Sequence, residues 1–164
     1  NTPRSHEASR IKRTELDKQV LQGIEFSDIE DDGTKYLGKK VAKPWGYEIC
    51  RYEDTHCSVW WLHIDPLKET SMHCHPNKST TLIVRGGEAI LSTLHAKHEL
   101  TPGVIVIIEA GAFHRTTSKG GPVILYEIEM PNRNTVYAYC FSKKKTFTLK
   151  WRADRKDWFE SEKS

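Results

Sequence analysis

From residue 37 onward the chain is a series of short runs rich in β-branched and aromatic residues, each bounded by glycine, proline or asparagine. Many short strands with turn residues at this spacing are typical of an all-β sandwich or barrel. The predicted strands are Tyr47–Arg51, Cys57–Ile64, Ser71–His75, Thr80–Val84, Glu88–Leu94, Val104–Ile108, His114–Thr117, Val123–Met130, Val136–Phe141 and Thr146–Trp151.

The length of 164 residues fits one domain with short additional segments at either end. The first segment, residues 1–36, contains a predicted amphipathic helix over Glu7–Leu21, because apolar residues recur there among charged ones. The β-rich body then occupies residues 37–150. Residues 151–164 form a charged C-terminal tail.

The formal net charge of +3 is a mild basic balance without the dense stripe of lysine and arginine that nucleic-acid-binding surfaces carry. We therefore expect no nucleic-acid partner. No stretch approaches the roughly 20 apolar residues of a membrane span, so we expect no membrane partner. The polar start lacks the apolar core of a signal peptide, although a chain that begins at Asn1 leaves a removed leader open.

The four cysteines have neither a paired nor a C-x-x-C spacing. This distribution predicts neither a disulfide framework nor a zinc ribbon. Reduced thiols and a cytoplasmic location are the simplest interpretation.

Two histidines separated by one residue, His73 and His75, point to the same face of an extended strand. His114 can join them if the strand that carries it lies alongside. Three neutral imidazoles form a site for a borderline metal ion, with open positions left for water or substrate. These residues are therefore the candidate metal ligands.

The chain contains two spaced motifs, His73-x-His75 with Gly86, and Gly103-x5-Glu109-x-Gly111-x2-His114. They resemble the two motifs of the cupin superfamily, whose members are small jelly-roll barrels with a metal held inside. The resemblance covers Lys43–Pro131. It implies an all-β cupin barrel, also called a double-stranded β-helix, with a short N-terminal helical extension.

The segment Lys43–Pro44–Trp45–Gly46–Tyr47–Glu48 narrows the resemblance. It is similar to the start of the first strand in the cupin domain of bacterial type II mannose-6-phosphate isomerases and their mannose-1-phosphate guanylyltransferase fusions. The resemblance implies a divalent metal cofactor, with zinc, manganese, nickel and iron all open. Since three histidines at these motif spacings are hard to explain by packing, we favour metal ligation over a structural role.

The sequence departs from the cupin pattern at two places. Glu109 stands where the second motif usually has proline. Cupins also usually carry a glutamate three or four residues past the second histidine, whereas Pro76–Thr80 contains no carboxylate and Lys78 or Ser79 takes that place. The metal site predicted from the motifs therefore lacks its usual fourth ligand.

Glu127 is the main candidate for acid–base catalysis, with Glu48 as a second carboxylate. Glu127 lies within the apolar run Val123–Ile128, and the corresponding strand of the isomerase-type cupins also carries a glutamate. Desolvation in an apolar barrel disfavours the charged carboxylate, which suits a general base. The alternative is that Glu127 and Glu129 alternate with apolar residues on a half-exposed strand.

Lys78 is the strongest candidate for a catalytic cation, since it could bind a phosphate or carboxylate while repelling a nearby metal ion. The alternative interpretation is that Lys78 is a flexible lysine in a surface turn. Arg85 is the next candidate for binding an anionic substrate, with Arg115 and Arg133 as further possibilities. Candidates for one wall of a sugar site are Trp45, Tyr47 and Phe113. The alternative is that these aromatic residues belong to the core.

The isomerase resemblance implies aldose–ketose interconversion or epimerisation of a small anionic substrate, a sugar phosphate or a nucleotide-linked sugar. The metal would act as a Lewis acid while Glu127 moves a proton between adjacent carbons. Two alternatives stay open: a three-histidine iron dioxygenase of a small molecule, and a sugar-binding cupin without turnover. A homodimer is expected, because small cupins often pair.

Overall fold

The computed structural model describes residues 8–22, 36–131, 147–152 and 157–160. Within these ranges the chain forms one helix and thirteen strands. In chain order they are β1 (Ala8–Ile11), α1 (Glu15–Gln22), β2 (Lys40–Lys43), β3 (Gly46–Glu53), β4 (Ser58–Ile64), β5 (Met72–Cys74), β6 (Lys78–Gly86), β7 (Ala89–Ser92), β8 (Lys97–Leu100), β9 (Ile105–Ile108), β10 (Arg115–Ser118), β11 (Val123–Pro131), β12 (Phe147–Arg152) and β13 (Asp157–Glu160).

Seven of these strands form one sheet in the order β1-β9-β6-β11-β4-β3-β2. Burial alternates strictly along its central strands, so that every second residue of β4, β6 and β11 faces the interior. The larger apolar core lies on this inner face. It consists of Cys50, Trp60, Leu62, Ile64, Leu82, Val84, Ala89, Leu91, Leu100, Val104, Val106, Ile108, Ala112, Val123 and Leu125.

Two three-stranded sheets, β10-β7-β8 and β13-β12-β5, form the other side of the barrel. Isolated bridges between Glu69 and Thr117 and between His73 and His114 bring them together. The predicted all-β jelly roll with a short N-terminal helix is therefore confirmed. The boundaries proposed at residues 36 and 150 stay predictions.

The N-terminal helix is shorter than predicted, because Ala8–Ile11 is a strand that pairs in parallel with β9. The helix starts after Thr14, whose backbone N–H donates to Asp17 Oδ2 at 2.8 Å while its Oγ1 accepts the Asp17 N–H at 3.3 Å. This reciprocal capping satisfies backbone groups that a longer helix would have bonded internally. The predicted helix was therefore wrong over Ala8–Ile11, which forms the strand β1 instead.

The predicted strands within the described ranges agree with observed ones to within a few residues, whereas the predicted strand Val136–Phe141 lies outside those ranges. The strand β8 was not predicted, because only Leu100 of its four residues is buried and no alternation is visible. Neither β2 nor β13, which pairs with β12, was predicted. No helix among the described residues is long and apolar enough to cross a membrane.

Candidate metal centre

The short strand β5 separates two environments by simple alternation. Met72 and Cys74 face a smaller apolar core together with Phe113, Leu149 and Leu21 of α1. His73 and His75 project from the opposite face of the chain. The sequence predicted this division, because side-chain direction in a strand depends only on residue parity.

His114 lies directly beside His73. The two backbones exchange hydrogen bonds, with His73 N–H donating to the His114 carbonyl at 3.0 Å and His114 N–H donating to the His73 carbonyl at 2.8 Å. The ring centroid of His73 lies 4.4 Å from that of His114 and 5.2 Å from that of His75. The nearest ring nitrogens of the three residues all lie within 4.8 Å of one another.

This spacing fits a single metal ion. Nitrogen–metal bonds of about 2.0–2.1 Å place two ligands of one ion at most about 4.2 Å apart. Small rotations of the rings would bring nitrogens at the 4.8 Å limit within this span. The structure thus assembles the three residues that the motifs select, while metal binding itself stays a prediction.

Hydrogen bonds select the tautomer that a metal requires. The Nδ1 atoms of His73 and His114 lie 2.7 Å from the Ser71 carbonyl oxygen and 3.0 Å from the Ala112 carbonyl oxygen, respectively. Because a carbonyl oxygen only accepts, each Nδ1 carries the proton and each Nε2 keeps its lone pair. The buried Nε2 of His114 has no hydrogen-bond partner among the described residues, a rare condition that a metal ion would relieve.

The imidazoles of His75 and His114 are also held in the neutral form. Burial, followed by the nearby His73, lowers the pKa of His114 to about 3. Burial and then the Lys78 ammonium lower the pKa of His75 well below its usual value. Neutral imidazole is the form that binds metal, so near neutral pH neither ring must release a proton first.

Two carboxylates of β11 complete the buried group. Glu127 and Glu129 share the inward face with Val123 and Leu125, and both are buried. The Glu129 Oε1 atom lies 3.8 Å from His75 Nε2. Glu127, Glu129 and His75 each offer a ligand atom within 4.8 Å of the others.

The alternative of a half-exposed strand was therefore wrong for both glutamates. Glu129 was not among the predicted site residues, although its parity with Val123 and Leu125 is the signal that places it inside. The sequence has no carboxylate shortly after His75, but the fold brings the Glu129 carboxylate of β11 close to His75.

Lys78 is inside the barrel. Its side chain is 2% exposed, and its Nζ donates to Glu129 Oε2 at 2.6 Å. Ser58 Oγ donates to the same oxygen at 3.3 Å, and Trp60 Nε1 donates to Ser58 Oγ at 3.2 Å. The interpretation of Lys78 as a flexible surface lysine was wrong, because its position on β6 has the same parity as the inward residues Thr80 and Leu82.

The strand register places three predicted substrate-binding residues away from the histidines. Arg85 is exposed and follows Lys78 by seven residues of β6, which corresponds to about 23 Å. Trp45 and Tyr47 lie at the start of β3, where Gly46 pairs with Ile64 at the far end of β4 from Ser58. Tyr47 stacks on His63 with centroids 4.9 Å apart.

The remaining candidates are also engaged elsewhere. Phe113 is fully buried in the smaller core behind β5. Glu48 faces inward but lies opposite Leu62 and pairs with Lys43 at 3.7 Å. Arg115 donates to the Thr70 carbonyl at 3.1 Å, and Arg133 lies outside the described residues.

The turn that precedes His114 is held from three directions. Gly111, at φ +83°, donates its N–H to the His75 carbonyl at 3.0 Å. Phe113 N–H donates to Asp17 Oδ1 of α1 at 3.0 Å. Glu109 Oε2 accepts the backbone N–H of Arg13 at 2.6 Å, which explains a glutamate where the cupin motif usually has proline. The N-terminal segment therefore positions His114.

Replacing Asp17 with alanine should destabilise the protein and weaken metal binding together. The buried carboxylate accepts hydrogen bonds from Thr14 and Phe113, so its loss leaves two amide donors without their acceptor, at a cost of about 1–3 kcal/mol. Guanidinium unfolding and zinc titration measure the two effects. Glu15→Ala is the matched control, because Glu15 is exposed and pairs with the exposed Lys18 at 3.8 Å. Equal effects of the two substitutions would contradict the positioning role.

No protein-family model matches the sequence, and no curated protein matches it. Solved structures do match its fold. An uncharacterized conserved protein with a double-stranded β-helix domain from Klebsiella pneumoniae is 23% identical, with a TM-score of 0.50 over 68% of this chain and 95% of that chain. KdgF from Halomonas sp. is 14% identical, with a TM-score of 0.53 over 66% of this chain and 97% of that chain.

A third match is the formate complex of oxalate decarboxylase from Lactobacillus farciminis, at 18% identity and a TM-score of 0.51. It covers 57% of this chain but only 31% of that enzyme. At these identities the likeness concerns the fold alone. The chain has the cupin fold, the double-stranded β-helix, with a candidate metal centre of histidines and glutamates at one end of the barrel.

Proposed function

We propose that this cupin is a metal-dependent enzyme that isomerises or epimerises a sugar phosphate or nucleotide-linked sugar. The observation that carries the proposal is that His75 belongs to two groups of potential ligands, one with His73 and His114 and one with the buried carboxylates Glu127 and Glu129. Such a group joins a metal-binding site to a potential proton acceptor. The resemblance of Lys43–Glu48 to isomerase-type cupins supports this reaction class.

His73, His75 and His114 would hold the ion, and imidazole with carboxylate oxygen suits zinc, manganese, nickel or iron. When bound, the ion supplies Lewis-acid polarisation of a carbonyl and its neighbouring hydroxyl. The interior position of the ligands limits water access. Proton transfer then falls to a side chain of the protein.

Glu127 is the better of the two carboxylates for that transfer. Glu129 accepts hydrogen bonds from the Lys78 ammonium and from Ser58, and an ammonium at 2.6 Å stabilises carboxylate over carboxylic acid. That is a poor property for a group that must take up and release a proton. Glu127 lies one inward position deeper, between Trp60 and Leu82 of the flanking strands, and still reaches His75.

The Glu127→Gln variant tests this assignment. The metal-loaded protein is incubated in deuterated water with a panel of hexose phosphates and nucleotide sugars, and NMR follows both interconversion and hydrogen exchange at carbon. We expect turnover to fall at least about 100-fold while metal content is kept, because amide cannot act as the base. Glu48→Gln is the matched control, since Glu48 is also buried but lies two strands away from Glu127, opposite Leu62 instead of Trp60.

Undiminished turnover in Glu127→Gln would remove this residue from the chemistry. Oxygen uptake by an iron-loaded protein would instead support the dioxygenase alternative. Sugar phosphate binding without any exchange would support a cupin that binds but does not convert its ligand.

A further inference from the structure

We infer that Glu129 is a fourth protein ligand of the metal centre and that the Lys78 ammonium, which is bound to the same carboxylate, weakens metal binding. This inference rests on the proposed metal centre and adds a determinant of its affinity. It concerns two residues that the cupin motifs do not select. The carboxylate would come from β11 instead of from the segment that follows His75.

The register of the sheet makes this possible. Glu129 pairs with Thr80 on β6 and with Ser58 on β4, so its side chain enters the barrel between these two strands. Lys78 precedes Thr80 by two residues and therefore points to the same face. Three strands thus converge at the end of the barrel where His75 lies.

The two oxygens of Glu129 face different groups. Oε2 accepts hydrogen bonds from Lys78 Nζ at 2.6 Å and from Ser58 Oγ at 3.3 Å. Oε1 lies 3.8 Å from His75 Nε2, within the roughly 4.2 Å that two ligands of one ion can span. One carboxylate oxygen can therefore bind the metal while the other stays on the lysine.

Lys78 should make that binding weaker than it would otherwise be. The ammonium and the metal are both cations, and they would share one carboxylate in a buried site where solvent screens their repulsion poorly. The side chains of Lys78 and Glu129 are 2% and 1% exposed, respectively. Removal of the lysine charge should tighten metal binding, whereas removal of the glutamate charge should loosen it.

A double-mutant cycle separates direct ligation from general electrostatics. Zinc affinity is measured by chelator competition for wild type, Lys78→Met, Glu129→Gln and the double variant. We expect Lys78→Met to bind zinc at least tenfold more tightly and Glu129→Gln at least tenfold more weakly than wild type. The double variant should bind zinc at least tenfold more weakly than Lys78→Met, because the ligand is lost whether or not the lysine charge is present.

Cobalt loading gives a readout independent of affinity. The visible absorption of the Co(II) protein reports the ligand set, so we expect it to change in both variants that lack Glu129 and to be kept in Lys78→Met. The corresponding cycle at Lys43 and Glu48 is the matched control, because that lysine–glutamate pair lies at 3.7 Å elsewhere in the barrel. It should leave zinc affinity within twofold of wild type.

The outcomes distinguish this inference from the proposed function. If the double variant binds zinc as tightly as Lys78→Met with an unchanged cobalt spectrum, Glu129 is no ligand and the inference fails while the metal centre stands. If wild type and Lys78→Met bind neither zinc nor cobalt, the proposed metal centre fails and takes the inference with it. Should Glu129→Gln not fold, the comparison of Lys78→Met with the double variant still decides.

Discussion

Neutralising Lys78 alone should destabilise the metal-free protein more than neutralising Lys78 and Glu129 together. The Lys78→Met variant leaves the Glu129 carboxylate buried without its ammonium, and breaking a buried ion pair from one side costs about 3–5 kcal/mol. The double variant Lys78→Met/Glu129→Gln removes both charges, and the new amide can still accept from Ser58. We expect it to unfold at a higher denaturant concentration than either single variant.

Guanidinium unfolding in the presence of a chelator measures these free energies without a contribution from metal. The pair Glu15 and Lys18 on α1 is the control, because both side chains are exposed and their substitution should change stability by less than about 1 kcal/mol. A Lys78→Met variant as stable as wild type would show that the carboxylate is not dependent on this lysine.

Loss of one histidine should abolish metal binding. We expect protein purified without added metal to contain close to one divalent ion per chain by elemental analysis, and His75→Ala or His114→Ala to contain almost none. A ligand present at 100 times its dissociation constant stabilises the folded state by about 2.7 kcal/mol. Chelation should therefore lower the melting temperature of wild type but not that of either variant.

His63→Ala is the control for this experiment. His63 stacks on Tyr47 at 4.9 Å and lies 3.5 Å from Asp65, so its removal should leave the metal content unchanged. Zinc, manganese or nickel in wild type would favour isomerase chemistry, and iron would favour the dioxygenase. Wild type that takes up no ion even when supplied would contradict the metal centre and favour a metal-free binding cupin.

Much of the fold and part of the site could be predicted from local sequence. The common direction of His73 and His75 follows from strand parity, and the burial of Val123–Met130 on one face follows from the same rule. Turn residues between short apolar runs delimit most of the strands. These properties depend on neighbours a few residues apart, which is why a single sequence reveals them.

Other features depend on which strands become neighbours. The strand β8 has no apolar alternation, and Ala8–Ile11 becomes a strand only because β9 offers it a parallel edge. Arg85 and Tyr47 were reasonable substrate residues until the register placed them at the far end of the sheet. The type of a side chain does not reveal how far that side chain lies from the histidines in the folded protein.

Short-range spacing indicates the β-barrel class and the common direction of His73 and His75, whereas His114 is identified by a second motif and reaches the site through its pairing with His73. The burial of Lys78 against Glu129, a residue 51 positions later in the chain, became visible in the folded protein. Their meeting requires the antiparallel register of β6 and β11, which depends on the packing of the whole inner face. For that reason, the carboxylate proposed as the fourth ligand of the candidate metal centre is absent from the motif but present in the fold.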